Sequence, residues 1–396
     1  MGLMKLLVYM IICLNPDCNG QMASLYDINL SNYSKISAPY MTDKGKTVDV
    51  NVSMYILNIG NLNTEDMTFE VEMYFGMKWI DPRLAFKEYN NDNATYAMVK
   101  GQAAQENIWM PDIFIRNMKF VEKSRFLMDI SGVRIFPNGV VTSSSRIRVV
   151  AHCEMDLLMF PLDSQSCDLI IVSYIYSTEV MTMNWAANPV LIDQRRQGKP
   201  QENSWKGFWL ERTETTTDSY IFGMNGFEFQ FLIAKFVMKR QPQYYILRGF
   251  IPSSFLVCLT WASFWLPISS YPARIALIVT SFLASIVLYQ GSTQNVHQMT
   301  MMQVFLFGNI SFIVLTLLEY LLAVKIDHKN RDKKQVRSFT NKSYKGSIHH
   351  QTNEKETSSS DIEQVNTVDE QARYKIPLIY MVYVAVFVAV ILLNIE

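Results

Sequence analysis

Cysteine is scarce in this sequence, with only five among 396 residues. Cys13 and Cys18 fall near the N-terminus, and Cys258 lies in an apolar run, where a free cysteine behaves as a small apolar residue. Cys153 and Cys167 remain as one candidate pair for an oxidising compartment. A bridge between them would stabilise the fold by about 3 kcal/mol. One bridge would pin a local loop, and it is too few to form the scaffold of a large domain.

An excess of either charge is also missing. Lysine and arginine together number 36, as do aspartate and glutamate, so the formal net charge is zero. A neutral chain gives no electrostatic reason to expect a nucleic-acid partner. Hydrophobic residues make up 49% of the chain and charged residues 18%, with a mean hydropathy of +0.06. This balance is typical of a membrane protein that has a large water-exposed part.

Motifs of catalysis are absent as well. The sequence contains no HExxH zinc motif, no GxSxG nucleophile motif and no phosphate-binding P-loop. Cysteine is too scarce for a zinc site of the usual kind. We therefore expect neither an enzyme nor a protein that needs a cofactor or a metal.

The first 20 residues have the pattern of a secretory signal peptide. Lys5 precedes the apolar run Leu6–Leu14, which breaks at Pro16 and reaches small residues near Gly20. Nine apolar residues are too few for the ~20 that a membrane-spanning helix needs, but they suit a signal. Four N-x-S/T glycosylation sites follow in the N-terminal half, which together indicate an exported domain. They are Asn29, Asn32, Asn51 and Asn93.

Short alternating segments run from Asp27 to Gln241 and are separated by turn residues. Stretches such as TVDVNVSMYIL and FEFQFLIAKFVM alternate with a period of two, which predicts half-buried strands. Asn138-Gly139 between two such stretches is typical of a hairpin turn. Many short strands without helical periodicity predict an extracellular all-β sandwich over residues 21–242.

Four longer apolar segments follow, each near the ~20 residues that a bilayer requires. They are Tyr245–Leu266, Pro272–Thr293, Met301–Val324 and Ile376–Ile395. We assign residues 243–325 to the first three spans, 326–373 to a cytoplasmic loop and 374–396 to the fourth span. The loop is rich in polar residues, so it is expected to be largely disordered. Its basic start places it in the cytoplasm, which puts the N-terminal domain and the C-terminus outside.

The second span differs from the others because polar side chains are interleaved with its apolar residues. Thr280, Ser281, Ser285 and Gln290 recur among Leu, Ile and Val. A membrane helix with one polar face normally faces protein or a water-filled path. One such helix cannot enclose a channel, so several chains would have to assemble around it.

The most specific motif is CEMDLLMFPLDSQSC, in which Cys153 and Cys167 enclose thirteen residues, with Phe160-Pro161-Leu162-Asp163 among them. It resembles the signature disulfide loop of the Cys-loop receptors, the ligand-gated ion channels that include the nicotinic, glycine and GABA receptors. The resemblance covers nearly the whole chain. It extends through DPRLAF at 81–86, WMPD at 109–112, Arg248, PAR at 272–274 and LLEY at 317–320.

The resemblance implies a homo- or heteropentamer of this chain with four further subunits in a plasma membrane, such as a postsynaptic one. A small extracellular agonist would bind where a principal face meets a complementary face. The ligand-binding residues expected from the resemblance are Tyr74, Arg146, Tyr174, Tyr176, Tyr220 and Phe222. An aromatic cage suits a cationic amine, although strands also use aromatic residues to fill a sandwich.

The sequence departs from the family's pattern in three ways that bear on the identity of the agonist. No adjacent cysteines occur near Tyr220, as they would in nicotinic α-type subunits. Gly76 stands where glycine and GABA receptors use an arginine to hold the ligand carboxylate, and Val172 stands near the place of an acidic partner. An amino-acid agonist is therefore not favoured, and Arg146 is the remaining substitute for the missing arginine.

The resemblance also implies that five copies of the second span line one pore. Positions three and four apart share a helix face, and this spacing selects the residues that would face the pore. The pore residues expected are Pro272, Ala273, Arg274, Ala276, Thr280, Leu283 and Val287. A ring of Leu283 would form a hydrophobic gate, unless this leucine only fills the core.

Chloride is the expected ion. Ala273 stands where cation-selective members of the family carry a glutamate, and Pro-Ala-Arg resembles the glycine and GABA receptors. Ser269 replaces an acidic residue that is common in the anion group, so a cation channel stays the alternative. A further alternative is a subunit that conducts only with a different partner. An adhesion domain on a membrane anchor would need only one span.

Ligand binding would be coupled to the pore by residues at the junction of the two domains. The candidates are Glu65, Asp66, Phe160, Pro161, Asp163, Arg248 and the linker Ser292–Gln298. We expect Arg248 to be partly buried beside carboxylates, because an unpaired charge would be costly there.

Overall fold

The computed structural model describes residues 30–41, 43, 45–86, 96–125, 129–193, 204–205, 207–222, 226–267, 270–293, 298–344 and 356–395. The expected signal peptide and the sites Asn29 and Asn93 lie outside these residues. The chain divides into two compact units. The sandwich unit runs to Met155 and resumes over Ser164–Lys239. The helical unit comprises Asp156–Asp163 and the chain from Arg240 onward.

Twelve strands lie in the described part of the N-terminal half. In chain order they are β1 (Val48–Asn63), β2 (Thr68–Ile80), β3 (Ala97–Lys100), β4 (Ile113–Ile115), β5 (Met118–Lys123), β6 (Ser131–Ile135), β7 (Val140–His152), β8 (Ser164–Ser173), β9 (Met181–Ile192), β10 (Ser204–Trp205), β11 (Phe208–Phe222) and β12 (Phe227–Arg240). One short helix, α1 (Gly101–Asn107), follows β3.

The strands form two sheets. Seven strands make one sheet in the order β3-β6-β7-β2-β1-β9, with β5 also paired to β7, and five make the other in the order β10-β11-β12-β8-β4. The β1–β9 pair is parallel, whereas β1–β2 and β2–β7 are antiparallel. Phe69 of the first sheet meets Phe236 of the second with ring centroids 6.3 Å apart. The predicted all-β sandwich is confirmed.

Alternation along the strands decides which side chains fill the sandwich. On β2 the side chains of Phe69, Val71 and Met73 are fully buried. Glu70 and Glu72, which lie between them, are only half-buried. Burial of each large apolar side chain contributes roughly 1.5–3 kcal/mol relative to exposure. The outward face of this sheet is left polar and is available for recognition.

A buried carboxylate ties the N-terminal segment to the sandwich. Asp81 is fully buried and accepts two hydrogen bonds from Arg83, each 2.8 Å long. The Tyr33 hydroxyl donates to Asp81 over 2.9 Å and accepts from the backbone N–H of Trp109 over 2.9 Å. Burial raises the pKa of Tyr33, and the negative charge of Asp81 adds to the effect. The DPRLAF and WMPD motifs therefore meet at one hydrogen-bonded cluster.

The helical unit contains four long helices. They are α2 (Gln243–Trp265), α3 (Tyr271–Thr293), α4 (Met301–Tyr344) and α5 (Glu356–Ile395). Each contains a stretch long and apolar enough to cross a membrane, with mean hydropathies from 1.3 to 2.8. The prediction of four spans is confirmed.

The segment expected to be disordered, residues 326–373, contains helix instead. Helix α4 continues to Tyr344, and α5 begins at Glu356. A helix that is already nucleated extends at low cost, because each added residue brings one more backbone hydrogen bond. The lysine, arginine, glutamine and glutamate of this segment are good helix formers, so polar composition alone was a misleading signal.

Three helices of this unit are joined by a buried polar contact. The Asn309 side chain, on α4, is fully buried and donates to Ser253 Oγ of α2 over 3.0 Å. Tyr380 of α5 donates to Asn309 Oδ1 over 3.2 Å. A β-carbon on Gly308 would lie 2.1 Å from the hydroxyl oxygen of Tyr383, so only glycine lets α5 approach this closely. Without water in a bilayer core, such bonds hold helices together.

Candidate functional site

A groove of about 750 Å³ runs over the outward face of the seven-stranded sheet. Its lining mixes apolar and polar side chains on four adjacent strands. The polar ones include Asn51, Ser53, Tyr74, Lys78, Arg134, Thr142, Ser143 and Ser144. Gly76 lies among them, and a β-carbon there would come within 2.7 Å of Ser53 Oγ. The groove has the size of a pocket for a small ligand.

Arg146 lies directly across the β2–β7 ladder from Tyr74. Its Nε and Nη2 atoms donate to Glu72 Oε1 over 3.0 and 2.5 Å. This hydrogen bond raises the pKa of Arg146, so the guanidinium stays charged. The positive charge that the sequence offers as a substitute for a ligand-holding arginine is therefore already neutralised by a carboxylate.

The turn that carries Tyr174 is held by the aspartate of the WMPD motif. Asp112 accepts from Ser173 Oγ over 2.7 Å and from the backbone N–H of Ile175 over 2.5 Å. Tyr174 between them is highly exposed, and its ring meets that of Phe114 edge-on at 6.0 Å. The half-buried Phe114 ring on β4 thus supports the exposed Tyr174 ring just after β8. The sequence named Asp112 only as part of the WMPD motif and did not predict that it holds this turn.

The other aromatic candidates have different surroundings. Tyr176 packs on buried Trp109 at 5.8 Å, and its hydroxyl accepts from the indole N–H over 3.0 Å. Tyr176 is thus part of the sandwich packing, as the filling role of strand aromatics allows. Tyr220 is exposed near the end of β11. Phe222 ends that strand, and its side chain lies outside what the structure describes.

The candidate ligand residues thus fall into two groups on different sheets. Tyr74 and Arg146 lie on β2 and β7 of the seven-stranded sheet, whereas Tyr220 lies on β11 of the five-stranded sheet and Tyr174 follows its strand β8. The lining of the 750 Å³ groove includes Tyr74 but none of Tyr174, Tyr176 and Tyr220. The groove of this chain therefore does not unite the two groups.

The expected disulfide is present. Cys153 and Cys167 are bonded, with Cα atoms 5.1 Å apart and a sequence separation of 14. The cysteines belong to the sandwich unit, whereas the tip of the loop, Asp156–Asp163, belongs to the helical unit. The bond therefore closes a loop whose tip is packed with the membrane-spanning helices.

Backbone hydrogen bonds fix this tip to the start of α4. Leu158 O accepts from the backbone N–H of Met301 over 2.9 Å, and Phe160 O accepts from Met302 over 3.3 Å. The Phe160 ring also meets Tyr245 of α2 edge-on at 4.7 Å. Phe160, Pro161 and Asp163, named from the sequence as coupling residues, thus lie within the helical unit beside two of its helices.

A buried ion pair also holds the tip of the disulfide loop. Arg240 donates from Nε and Nη2 to the two carboxylate oxygens of Asp163 over 2.6 and 2.9 Å. The guanidinium also lies 4.6 Å from the centre of the Phe160 ring. The expected arginine beside a carboxylate is therefore Arg240, whereas Arg248 is exposed and contacts Tyr244. The expectation of a buried Arg248 is wrong, because β12 carries Arg240 inward before the helix starts.

Glu65 and Asp66 lie in the turn between β1 and β2. Asn63 Oδ1 accepts from the backbone N–H groups of both residues over 3.0 and 3.2 Å. The Asp66 carboxylate is paired with Lys119 at 3.2 Å. The turn has a defined shape within the sandwich unit.

One face of α3 is exposed along its length. Its residues recur at helical spacing and include most of the expected pore positions. They are Pro272, Ala273, Ala276, Thr280, Leu283, Val287 and Gln290. Ser281 and Ser285 are buried, so the polar residues of this span divide between the exposed face and the helix contacts. The helix, Tyr271–Thr293, contains neither aspartate nor glutamate.

Arg274 does not lie on this exposed face, in contrast to the expectation. It is almost fully buried, and its guanidinium lies 5.4 Å from the centre of the Tyr320 ring on α4. One residue along a helix turns the side chain by about 100°, which moves Arg274 away from the face that carries Ala273. The PAR and LLEY motifs therefore meet in a cation–π contact.

Comparison with known protein families decides the identity of this arrangement. Residues 22–242 match the neurotransmitter-gated ion-channel ligand binding domain, and residues 250–375 match the neurotransmitter-gated ion-channel transmembrane region. The chain belongs to the neurotransmitter-gated ion-channel family. This confirms the resemblance to Cys-loop receptors, and the disulfide loop lies inside the first matched region.

Individual members of the family are moderately similar to this chain. The glycine receptor subunit beta-type 4 of Caenorhabditis elegans is 29% identical over 255 residues, which are 64% of this chain and 51% of that protein. The gamma-aminobutyric acid receptor subunit rho-2 of Homo sapiens is 29% identical over 279 residues, 70% and 58% of the two chains. The pH-sensitive chloride channel 2 of Drosophila melanogaster is 29% identical over 313 residues, 76% and 58%. The chain spans just over half the length of these curated relatives.

Proposed function

We propose that this member of the neurotransmitter-gated ion-channel family is one subunit of a pentameric plasma-membrane channel that a small extracellular ligand opens and that conducts chloride. The observation that carries the proposal is the exposed face of α3. It runs from Pro272 to Gln290, and the helix has no carboxylate that could form a cation-selecting ring. The names of the similar glycine, gamma-aminobutyric acid and chloride channel subunits support the same ion.

The exposed apolar face of α3 supports assembly of several subunits around one axis. Within the described residues, Leu283 and Val287 of α3 are 56% and 66% exposed, and an apolar membrane-helix face of this kind suits contact with further subunits. Five copies around an axis would turn this face toward a common pore. At its middle, five Leu283 side chains would form a ring narrow and apolar enough to exclude water.

The ligand would bind between neighbouring subunits. One subunit would contribute the groove around Tyr74 and Gly76, and the next would contribute the exposed Tyr174, which packs on Phe114, together with Tyr220. Because each chain carries both groups on different sheets, a ring of identical chains supplies five equivalent sites. Heteromeric assembly would change which residues form each site, but each site would still lie between two neighbouring subunits.

The chemistry of these faces favours a ligand that is not a simple amino acid. Gly76 offers no cation, and Arg146 is held by Glu72 at 2.5 and 3.0 Å. The exposed ring of Tyr174 and the half-buried ring of Phe114 beside it suit the face of a cationic or uncharged ligand. A ligand carboxylate would have to displace Glu72 from Arg146.

The tip of the disulfide loop would couple ligand binding to opening of the pore. Its ion pair, Asp163–Arg240, and its hydrogen bonds to Met301 and Met302 place it beside the start of α4. Glu65, Asp66 and Arg248 are further coupling candidates by family resemblance. Asn32 is exposed and suits glycosylation, whereas Asn51 is half-buried between β2 and β9 and suits it less.

The test is an open-channel variant. Leu283→Ser, expressed in oocytes under voltage clamp, should conduct without added agonist because it weakens the hydrophobic ring. Leu318→Ser on α4 is the matched control, since Leu318 and Leu283 have similar exposures of 52% and 56%. We expect current only from Leu283→Ser. Replacing external chloride with a large impermeant anion should shift its reversal potential to positive voltage.

Three outcomes would contradict parts of the proposal. A reversal potential that follows sodium instead of chloride would make the protein a cation channel. Silence of Leu283→Ser despite surface protein, with current only when a second subunit is co-expressed, would show that this chain needs a different partner. Equal currents from both leucine variants would remove Leu283 from the gate.

A further inference from the structure

A separate apolar cavity of about 240 Å³ lies in the sandwich unit, outside the grooves described above. Every residue that lines it has an aliphatic or aromatic side chain. They are Phe75, Ile113, Phe114, Ile115, Met118, Val121 and Ile147. The cavity therefore offers almost no hydrogen-bonding group to an occupant.

A β-bulge in β5 forms one wall of this cavity. Met118 pairs with Ala151 and Val121 with Val149, so three residues of β5 span two of β7. Both partners on β7 are fully buried, which shows that Met118 and Val121 turn toward the interior side of the sheet. Without the bulge, residues three apart would point to opposite faces. Met118 and Val121 remain partly exposed, so the cavity opens between them.

The opposite wall touches the candidate ligand site. Phe114 lines the cavity, and its ring also meets Tyr174 edge-on at 6.0 Å. An occupant of the cavity would therefore contact the ring that supports the most exposed aromatic residue of that site. Asp112 holds the Tyr174 turn through Ser173 and the backbone of Ile175, whereas Phe114 contacts the Tyr174 ring itself.

We propose that this cavity binds a compact, uncharged apolar molecule of about the size of benzene. A sealed apolar cavity of about 150 Å³ binds benzene or xenon, and the present pocket is somewhat larger and opens to solvent between Met118 and Val121, where the molecule would enter. A charged or strongly polar molecule would lose its hydration without finding a partner, so the lining excludes it. This site goes beyond the proposed agonist site and does not depend on chloride conduction.

The test measures protection of a cysteine at the mouth. The full-length protein carries Cys258→Ser to remove the described free thiol, together with Val121→Cys. The rate of modification by methyl methanethiosulfonate is measured with and without benzene. At about nine times its Kd, benzene should slow the reaction about tenfold by mass action. Met118→Cys is a second reporter at the same mouth, should Val121→Cys fail to fold.

Two controls use the same thiol reagent on the same membrane protein. Phe120→Cys lies on the opposite face of the same strand, so benzene should leave its rate unchanged. Benzoate, which has the same ring and a charge, should protect neither cysteine. Adding Ile115→Phe, which fills the cavity, should abolish protection of Val121→Cys.

Equal slowing at Val121→Cys and Phe120→Cys, or none at either mouth reporter, would overturn the proposal. None at either reporter is also the result expected if a side chain of a neighbouring subunit fills the cavity. Protection that survives Ile115→Phe would overturn the assignment to this cavity. None of these results depends on an open channel, so they are separate from the test of the proposed function.

Discussion

The pair Arg240–Asp163 of the helical unit and the pair Arg146–Glu72 of the sandwich unit join the same chemical groups at similar distances. The shortest contacts are 2.6 Å in the first and 2.5 Å in the second. Their surroundings differ: the side chains are 4% and 2% exposed in the first pair, and 34% and 27% exposed in the second. Similar contact distances therefore have different consequences in the two units.

The different access of water to the two ion pairs explains this difference. At the half-exposed pair, solvent and salt can replace either partner, so the bond is weak and can be exchanged for a ligand. At the buried pair, removal of one partner leaves the other charged and without solvent. The buried pair of the helical unit therefore fixes one arrangement of the loop tip. The more exposed pair of the sandwich unit lies on a sheet face where its contact can be exchanged.

Breaking the buried pair should have the largest effect. Asp163→Ala should lower stability by about 3–5 kcal/mol, because Arg240 would be left buried without its carboxylate. The measurement is the melting temperature of the solubilised full-length protein, with surface expression where the variant fails to fold. Asp156→Ala, an exposed aspartate of the same loop, is the control and should have little effect.

A double variant tests whether the loss comes from an unpaired charge. Asp163→Leu combined with Arg240→Met should recover much of the stability lost in Asp163→Ala, since no buried charge remains. No recovery would mean that the shape of the pair, rather than its charge, holds the loop tip.

The Tyr33–Asp81–Arg83 cluster is intermediate, with a buried carboxylate and a partly exposed guanidinium. Tyr33→Phe should cost about 1.5–3 kcal/mol near neutral pH, because Asp81 loses a donor and the Trp109 N–H loses its acceptor. The pKa of Tyr33 is raised from 10.0 by burial, so the unfolded chain ionises first and the wild type loses stability above about pH 10. The difference in melting temperature should therefore be full below pH 10 and shrink above it. A constant difference would contradict the raised pKa.

The half-exposed pair should give the smallest effect. Glu72→Gln should change stability by about 0.2–1 kcal/mol, because water can take the place of the carboxylate at Arg146. Raising the salt concentration should reduce this small difference, whereas the loss caused by Asp163→Ala should persist. A salt-resistant loss of several kcal/mol in Glu72→Gln would remove the contrast between the two pairs.

Much of the fold could be predicted from local pattern. Alternation along segments such as TVDVNVSMYIL gave the strands, and span length gave the helices. The spacing and flanking residues of Cys153 and Cys167 gave the disulfide loop. These signals are local, since period and length are properties of neighbouring residues.

The errors concern side-chain surroundings, which depend on distant residues. Arg240 and Arg248 stand eight positions apart, and only the fold shows which of them reaches Asp163. Arg274 adjoins Ala273 in sequence, yet its contact with Tyr320 takes it off the exposed face. Asn309 was overlooked in an apolar span, although a lone amide in such a span is a signal of a buried contact.

The contact at Asn309 also bears on how this chain can vary. Tyr380 is joined to Asn309, and Tyr383 approaches Gly308, so two side chains of α5 fix the depth at which this helix docks. Many other side chains of α5, among them Leu378, Val382 and Leu393, are exposed and contribute little to that register. Sequence drift on this outer surface should therefore be tolerated as long as it stays apolar. A helix grafted from another protein should dock correctly if it keeps two tyrosines at this spacing.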